Sequence, residues 1–391
     1  MKILFIANRF PYPPFRGDKL KIFNLCKRLS VQHELHLICF SEQASDLQYE
    51  AELKPIFASI TVIPLPKYQS YWQVLWGMLG HLPLQVNYFK SKRFAKALKT
   101  LLNQHQFDAI HVQHLRMAQY AQGIQSTYKI LDLPDAFSLY WQRRLQVPRN
   151  LFSRLLDAIE SKRVIAYEKT ILQQFDLNLV CSKEDLNFLK AQHQVDQIAL
   201  LPNGVDTDQF KPNNHDYAHN KTLLFTGNMD YAPNVDAVQY FVKDILPLIQ
   251  SECPDITFII AGQRPIEAVK QLACKNIKVT GFIPDLSEMY NQASVVVAPL
   301  RFGAGTQNKV LEAMSMGIPV VCSNIGFEGL GIQDGEGAFM RTEAKGFAAQ
   351  VIALLKEAEL RQATGQKGAT VIHSQFSWDK IALQLETYLK H

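Results

Sequence analysis

Val295-Val296-Val297-Ala298-Pro299-Leu300-Arg301-Phe302-Gly303-Ala304-Gly305-Thr306-Gln307-Asn308-Lys309-Val310-Leu311-Glu312-Ala313-Met314 reads as three pieces. A buried strand stops at Pro299, a loop carries two glycines, and a helix starts near Thr306. Glycines let a backbone approach a ligand with no Cβ in the way. The free N–H groups and positive dipole end of a helix start suit a phosphate, and Lys309 in the first turn adds a point charge. Lys309 and Glu312 are three apart and share a face, while Val310 and Met314 point to the core. A cation for a phosphate beside a carboxylate for two vicinal hydroxyls is what a diphosphate and a ribose would need.

The same alternation of apolar run and helical pattern extends both ways along the chain. In the first half the runs are residues 2–7, 34–40, 59–64, 108–113, 128–132 and 176–181, with amphipathic segments between them. Residues 18–30, for example, hold Leu20, Phe23, Cys26 and Leu29 at helical spacing. A second series begins near 222, with runs at 223–226, 257–261, 277–279, 295–298 and 320–322. Parallel strands joined by crossover helices follow from this pattern. Two series of nearly equal length predict an α/β protein of two Rossmann-like domains, facing each other across a ligand-binding cleft. Leu201-Pro202-Asn203-Gly204-Val205-Asp206 and the polar residues 211–221 form the turn-rich join. The expected domains are 1–204, with a C-terminal helix 376–391, and 205–375. Ser377 is a plausible cap for that last helix.

Composition narrows the function. The 391 residues are 47% hydrophobic and 20% charged, so the chain can bury enough apolar surface to fold. A net charge of +5, from 41 basic and 36 acidic residues, fits anionic ligands or an acidic membrane without demanding either. It lacks the dense basic stripe of a nucleic-acid binder, so none is expected as a partner. The six cysteines form no C-x-x-C pair and read as buried thiols of a reducing compartment. The N-terminal run is broken by Arg9, too early for a signal peptide, and no transmembrane stretch is evident, so the expected location is cytoplasmic, at the inner face of the cell membrane. No G-x-G-x-x-G follows the strands at 2–7 or 222–226, and no G-x-x-x-x-G-K-[ST] occurs, which argues against a nicotinamide dehydrogenase or an ATPase. Asp206-Thr207-Asp208 falls in the join and reads as solvated linker, so no metal is assigned.

Several blocks together resemble one family. Pro11 to Gly17 resembles its first glycine loop, Asn203-Gly204-Val205-Asp206 its interdomain N-G-V-D, and Phe225-Thr226-Gly227-Asn228-Met229-Asp230 the start of its second domain. Glu312-Ala313-Met314-x-x-Gly317-x-Pro319-Val320-Val321 matches E-A-M-x-x-G-x-P-V-V. These are the blocks of GT-B glycosyltransferases of the family 4 type (glycosyl transferases group 1), and the Gly305-x-x-Asn308-Lys309-x-Leu311-Glu312 form resembles an exopolysaccharide-associated subgroup of sugar transferases. The resemblance implies a nucleotide-sugar donor, with no cofactor and no metal. Glu312 would hold the ribose. Gly305, Thr306 and Lys309 would face the diphosphate, with Gly303, Gln307 and Asn308 completing the loop. Ile283 would lie at the base, and Gly17 against the transferred sugar. Asn228 and Pro233 stand where the family has Arg and Lys, and Ala304 where it has the first glutamate of E-x7-E. Arg301 and Lys309 could replace the missing charge.

In the first half, His111 and His114 compete for the histidine that the family places near the anomeric carbon, and His114, opening the loop, is preferred. Residues 68–89 hold Trp72, Trp76, Leu75, Leu79 and Leu82 at helical spacing, partly as core. With Lys90, Lys92, Arg93 and Lys96 they also suit a membrane interface or a lipid-linked acceptor. Arg143, Arg144, Arg149 and Arg154 form a second basic cluster. The resemblance implies retention of anomeric configuration, and a last helix that returns to the first domain. The expected partners are the nucleotide-sugar donor, a saccharide or lipid-linked acceptor, and an acidic membrane surface. The alternatives are a GT-B sugar-nucleotide epimerase, which would need paired carboxylates, and a catalytically silent scaffold.

Overall fold

Each apolar run becomes a parallel strand, and all but the edge runs at 59–64 and 277–279 are largely buried by the helices that connect them. The computed structural model describes residues 1–147, 150–212, 217–218 and 221–390. Met1–Pro202 with Ile381–His391 forms one unit, and Asn203–Lys380 the other. In the first unit the strands are β1 (Lys2–Ala7), β2 (Glu34–Ser41), β3 (Ser59–Pro64), β4 (Ala109–Gln113), β5 (Tyr128–Leu133), β6 (Leu177–Val180) and β7 (Ile198–Leu200). They lie in the order β3-β2-β1-β4-β5-β6-β7. The second unit orders β8 (Thr222–Thr226), β9 (Thr257–Ala261), β10 (Ile277–Gly281), β11 (Val295–Ala298), β12 (Val320–Cys322) and β13 (Ala338–Met340) as β10-β9-β8-β11-β12-β13.

Both sheets therefore wind outward one way for three strands and then reverse. The reversal lies between β1 and β4 in one and between β8 and β11 in the other. At such a point the two connections leave in opposite directions and open a crevice at the carboxyl ends of the strands. Register holds the crevice of the second sheet open beside Thr226 and Ala298, since β11 pairs with β8 through Val295↔Leu223 and Val296↔Leu224. Each unit has its own apolar core around its sheet.

Buried polar contacts stiffen the first unit. Lys21 Nζ donates to Asp132 Oδ1 at 2.6 Å and to the Leu201 carbonyl at 3.2 Å. Glu168 accepts from the Phe137 amide at 2.9 Å and meets His193 Nε2 at 3.0 Å.

Several expectations need correction. β7 and β13, each three residues long at a sheet edge, are absent from the sequence reading, because such short runs carry little hydrophobic signal. The units divide at 202/203 and 380/381. The helix Trp378–Leu389 crosses the second division; Ser377 Oγ accepts from the Lys380 amide at 3.5 Å. Past it, Gln384 Nε2 and the Tyr388 hydroxyl both donate to the Leu200 carbonyl, at 2.8 and 3.0 Å. Residues 68–89 form two helices, Lys67–Gly77 and Leu84–Tyr88. The first turns Tyr68, Tyr71, Trp72, Leu75 and Trp76 outward, so these are not core. Arg149 lies outside the described residues.

Candidate active site

The second sheet's crevice gathers most of the residues singled out from sequence. After β11 the chain turns through Gly303 (φ 146°) and Gly305 (φ 73°), which lets the loop fold back against the helix Asn308–Ser315. That helix begins two residues later than the sequence suggested. Its cap position is Gln307, whose side chain makes no capping bond to the backbone. Gln307 Oε1 instead accepts from Lys309 Nζ at 3.2 Å.

Lys309 Nζ also donates to Asn234 Oδ1 at 3.2 Å and lies 5.1 Å from the centre of the Phe225 ring. It has no ion-pair partner among the described residues. Its two hydrogen-bond partners are neutral amides. Burial therefore pushes the ammonium down to about 8, against the opposing field of Glu312. Burial in turn raises the Glu312 carboxyl above its ordinary range, while the Tyr290 hydroxyl and Lys309 oppose that rise. Glu312 Oε2 accepts from the Tyr290 hydroxyl at 2.7 Å. The Tyr290 oxygen also meets Thr226 Oγ1 at 2.8 Å. Tyr290 is fully buried, so this triad locks the carboxylate beside a cation that lacks an anion of its own.

The opposite wall comes from the turn after β8. Gly227 and Gly262 pack backbone to backbone: a Cβ on Gly262 would meet the Gly227 carbonyl oxygen at 1.7 Å. The turn thus brings Asn228 and Asn234 to the crevice. Asn234 Nδ2 donates to the Asn228 carbonyl at 3.0 Å, and Gln263 Nε2 to Asn228 Oδ1 at 2.8 Å. Asn308 Oδ1 accepts from Asn203 Nδ2 at 2.9 Å, which ties the N-G-V-D segment to the same helix. Thr306 is buried in the loop, as is Ala304. Half-buried Ile283 follows β10, three strand spacings (about 14 Å) from β11.

Arg301 is already paired with a carboxylate. Its Nε donates to Asp236 Oδ2 at 2.8 Å, its Nη2 to the other oxygen, and its guanidinium lies 4.8 Å from the Tyr240 ring centre. Asn234 and Tyr290 were missed by sequence reasoning. A search for an amide near the glycine turn, where a basic residue is absent, could have found Asn234; no sequence signal marks Tyr290.

In the first unit, Gly17 opens the helix Gly17–Leu29 after β1, and His114 follows β4, so both stand at that sheet's reversal. His114 adopts φ 81° and caps a short 3-10 turn, its Nδ1 accepting from the Arg116 amide at 3.5 Å. Its ring centre lies 4.7 Å from that of Phe137. Burial, with Arg116 next, holds its pKa well below the usual histidine range, against the field of Asp18, so the imidazole is neutral at pH 7. His111 is buried within the sheet, 3.5 Å from Asp132 through Nε2. Among the described residues no group of three metal-ligating side chains occurs, and no helix is long and apolar enough to cross a membrane.

A family model for Glycosyltransferase Family 4 matches residues 22–209, and one for Glycosyl transferases group 1 matches residues 220–357. An uncharacterized 44.6 kDa protein in the cps region of Klebsiella pneumoniae is 23% identical over 363 residues, covering 90% of each chain. Sucrose-phosphate synthase from Thermosynechococcus elongatus is similar in structure at a TM-score of 0.74 and 17% identity, over 99% of this chain and 98% of that one. HepE from Anabaena, solved with UDP and glucose, gives a TM-score of 0.69 at 16% identity, over 100% and 99%. The structural likenesses carry the fold, two Rossmann-like α/β domains of the GT-B type.

Proposed function

The chain belongs to the family 4, group 1 glycosyltransferases, and from that premise we propose that it moves a hexose, with retention of configuration, from a nucleotide-sugar to a saccharide carried on lipid, in the building of an exopolysaccharide. The observation that carries the donor site is Lys309: a buried ammonium bonded only to neutral amides, next to a carboxylate fixed by Tyr290. A diphosphate would supply the missing negative charge. Glu312 would accept hydrogen bonds from the ribose. The distance of about 14 Å across the strand ends toward Ile283 suits an extended nucleoside diphosphate. The Klebsiella relative's place in a cps region supports polysaccharide synthesis, and HepE's ligands support a UDP-sugar as first candidate.

In the proposed reaction the acceptor hydroxyl oxygen bonds to the anomeric carbon on the face from which the diphosphate leaves. The bond between anomeric carbon and phosphate oxygen breaks, and the acceptor's proton passes to that oxygen. Lys309 and the amides at the helix start stabilise the charge growing on the diphosphate, which performs the task without a metal. The test is calorimetry with UDP, GDP and ADP side by side, followed by transfer of labelled sugar to a lipid extract. Uptake of one nucleotide, weakened in Lys309→Met, is expected; no uptake of any of the three overturns the reading.

A further inference from the structure

The first unit carries an exposed apolar surface that its own fold leaves uncovered. On the helix Lys67–Gly77 the small residues Ser70 and Gly77 face inward, and the aromatics face out: Trp72 is 60% exposed, Trp76 68% and the following Leu79 85%. This inverts the usual arrangement, in which a helix buries its apolar stripe. A second helix, Leu151–Leu172, behaves alike over its first half. Leu151 is 83% and Phe152 72% exposed, with Leu155 beside them. The two segments are distant in sequence but adjacent in the fold. Arg163 Nη2 donates to the Met78 carbonyl at 2.6 Å, and Glu160 Oε1 accepts from the Leu84 amide at 2.7 Å. These bonds join the end of the first segment to the middle of the second helix, and exposed apolar surface of this kind marks an interaction site.

Charge selects the partner. From Leu53 to Phe107 the chain holds seven basic residues and no Asp or Glu, whereas the remainder, with 34 basic and 36 acidic residues, is slightly acidic. The whole positive excess of the protein lies in the stretch that carries the exposed tryptophans. The second helix sorts its charges by face: Asp157, Glu160 and Glu168 are buried, while Arg154, Lys162 and Lys169 point to solvent. Aromatic side chains with interleaved cations match the interface of an anionic bilayer, where indole rings settle at headgroup level and lysines meet lipid phosphates. Two copies of the same cationic face would repel each other.

We infer that residues 67–82 and 151–163 together form one docking surface for an anionic lipid bilayer. This deepens the reading above by naming where a lipid-borne acceptor is met, yet it needs no donor to be tested. The full chain is sedimented with phosphatidylcholine vesicles, with and without phosphatidylglycerol, in the absence of nucleotide. Binding to the phosphatidylglycerol vesicles is expected, weakening as salt rises. The double variant Trp72→Gln/Trp76→Gln should lower it about tenfold for each aromatic removed. Phe152→Gln/Leu155→Gln, on the other helix, should lower it as well, with nucleotide binding unchanged in both variants. Equal binding to both vesicle types, or to neither, overturns the inference. So does a dimer in solution that these variants convert to monomer while lipid stays unbound. Failure here leaves the donor reading standing, and failed nucleotide uptake leaves this surface standing.

Discussion

Replacing Lys309 by methionine should stabilise the empty protein while disabling its site. The burial of this ammonium lowers its pKa from 10.5 to about 8. At ~1.36 kcal/mol per pKa unit, keeping the proton at pH 7 costs the folded state about 3 kcal/mol. Methionine has similar length, is apolar and fits beside Phe225. It leaves the Asn234 and Gln307 amides without their donor, which returns about 1–2 kcal/mol of that gain. A net stabilisation of about 1–2 kcal/mol is therefore expected in urea unfolding at pH 7. The pH dependence gives the sharper signature. Between about 8 and 10.5 the unfolded chain keeps the lysine proton that the folded one has lost, so the wild type gains stability as pH rises through this window. The advantage of the variant should fade across the same window. Nucleotide diphosphate affinity should fall roughly ten- to hundredfold, the worth of charge-assisted hydrogen bonds. A variant less stable than wild type at pH 7, or a difference that stays flat to pH 10, would refute the idea that this lysine is held under strain for an absent anion.

Glu312→Gln should keep the bond from Tyr290, because an amide oxygen still accepts. It should weaken donor binding about tenfold, and calorimetry with a 2′-deoxy nucleotide should show wild-type discrimination that the variant lacks. Gly262→Ala forces a Cβ onto the Gly227 carbonyl. It should cost about 2–4 kcal/mol in denaturant unfolding and abolish nucleotide uptake, since the turn that carries Asn228 and Asn234 must move.

Much of the fold was legible because parallel strands buried on both faces write themselves as continuous apolar runs, as Val295–Ala298 does. The Lys309–Glu312 face was legible because helical spacing is fixed by geometry. Tyr290 and Asn234 were not, because their roles arise from contacts across 22 and 75 residues of chain that no local pattern records. The pairing of Arg301 was hidden for a related reason: its partner Asp236 stands 65 residues away. For the tryptophans at 72 and 76 the sequence left core and membrane interface both open, since helical spacing fixes which residues share a face but not whether that face turns inward.

The first unit is discontinuous in sequence, closed by Ile381–His391 and by the bonds of Gln384 and Tyr388 to Leu200. A ribosome making this protein therefore finishes the opening half only after the whole of Asn203–Lys380 has been made. At 5–20 residues per second the seven-stranded sheet waits roughly 10–35 s for its closing helix. During that interval Leu200 lacks its two donors and the neighbouring apolar contacts are unmade, which makes the nascent chain a client for holding chaperones and makes C-terminal truncation a lesion of the N-terminal half.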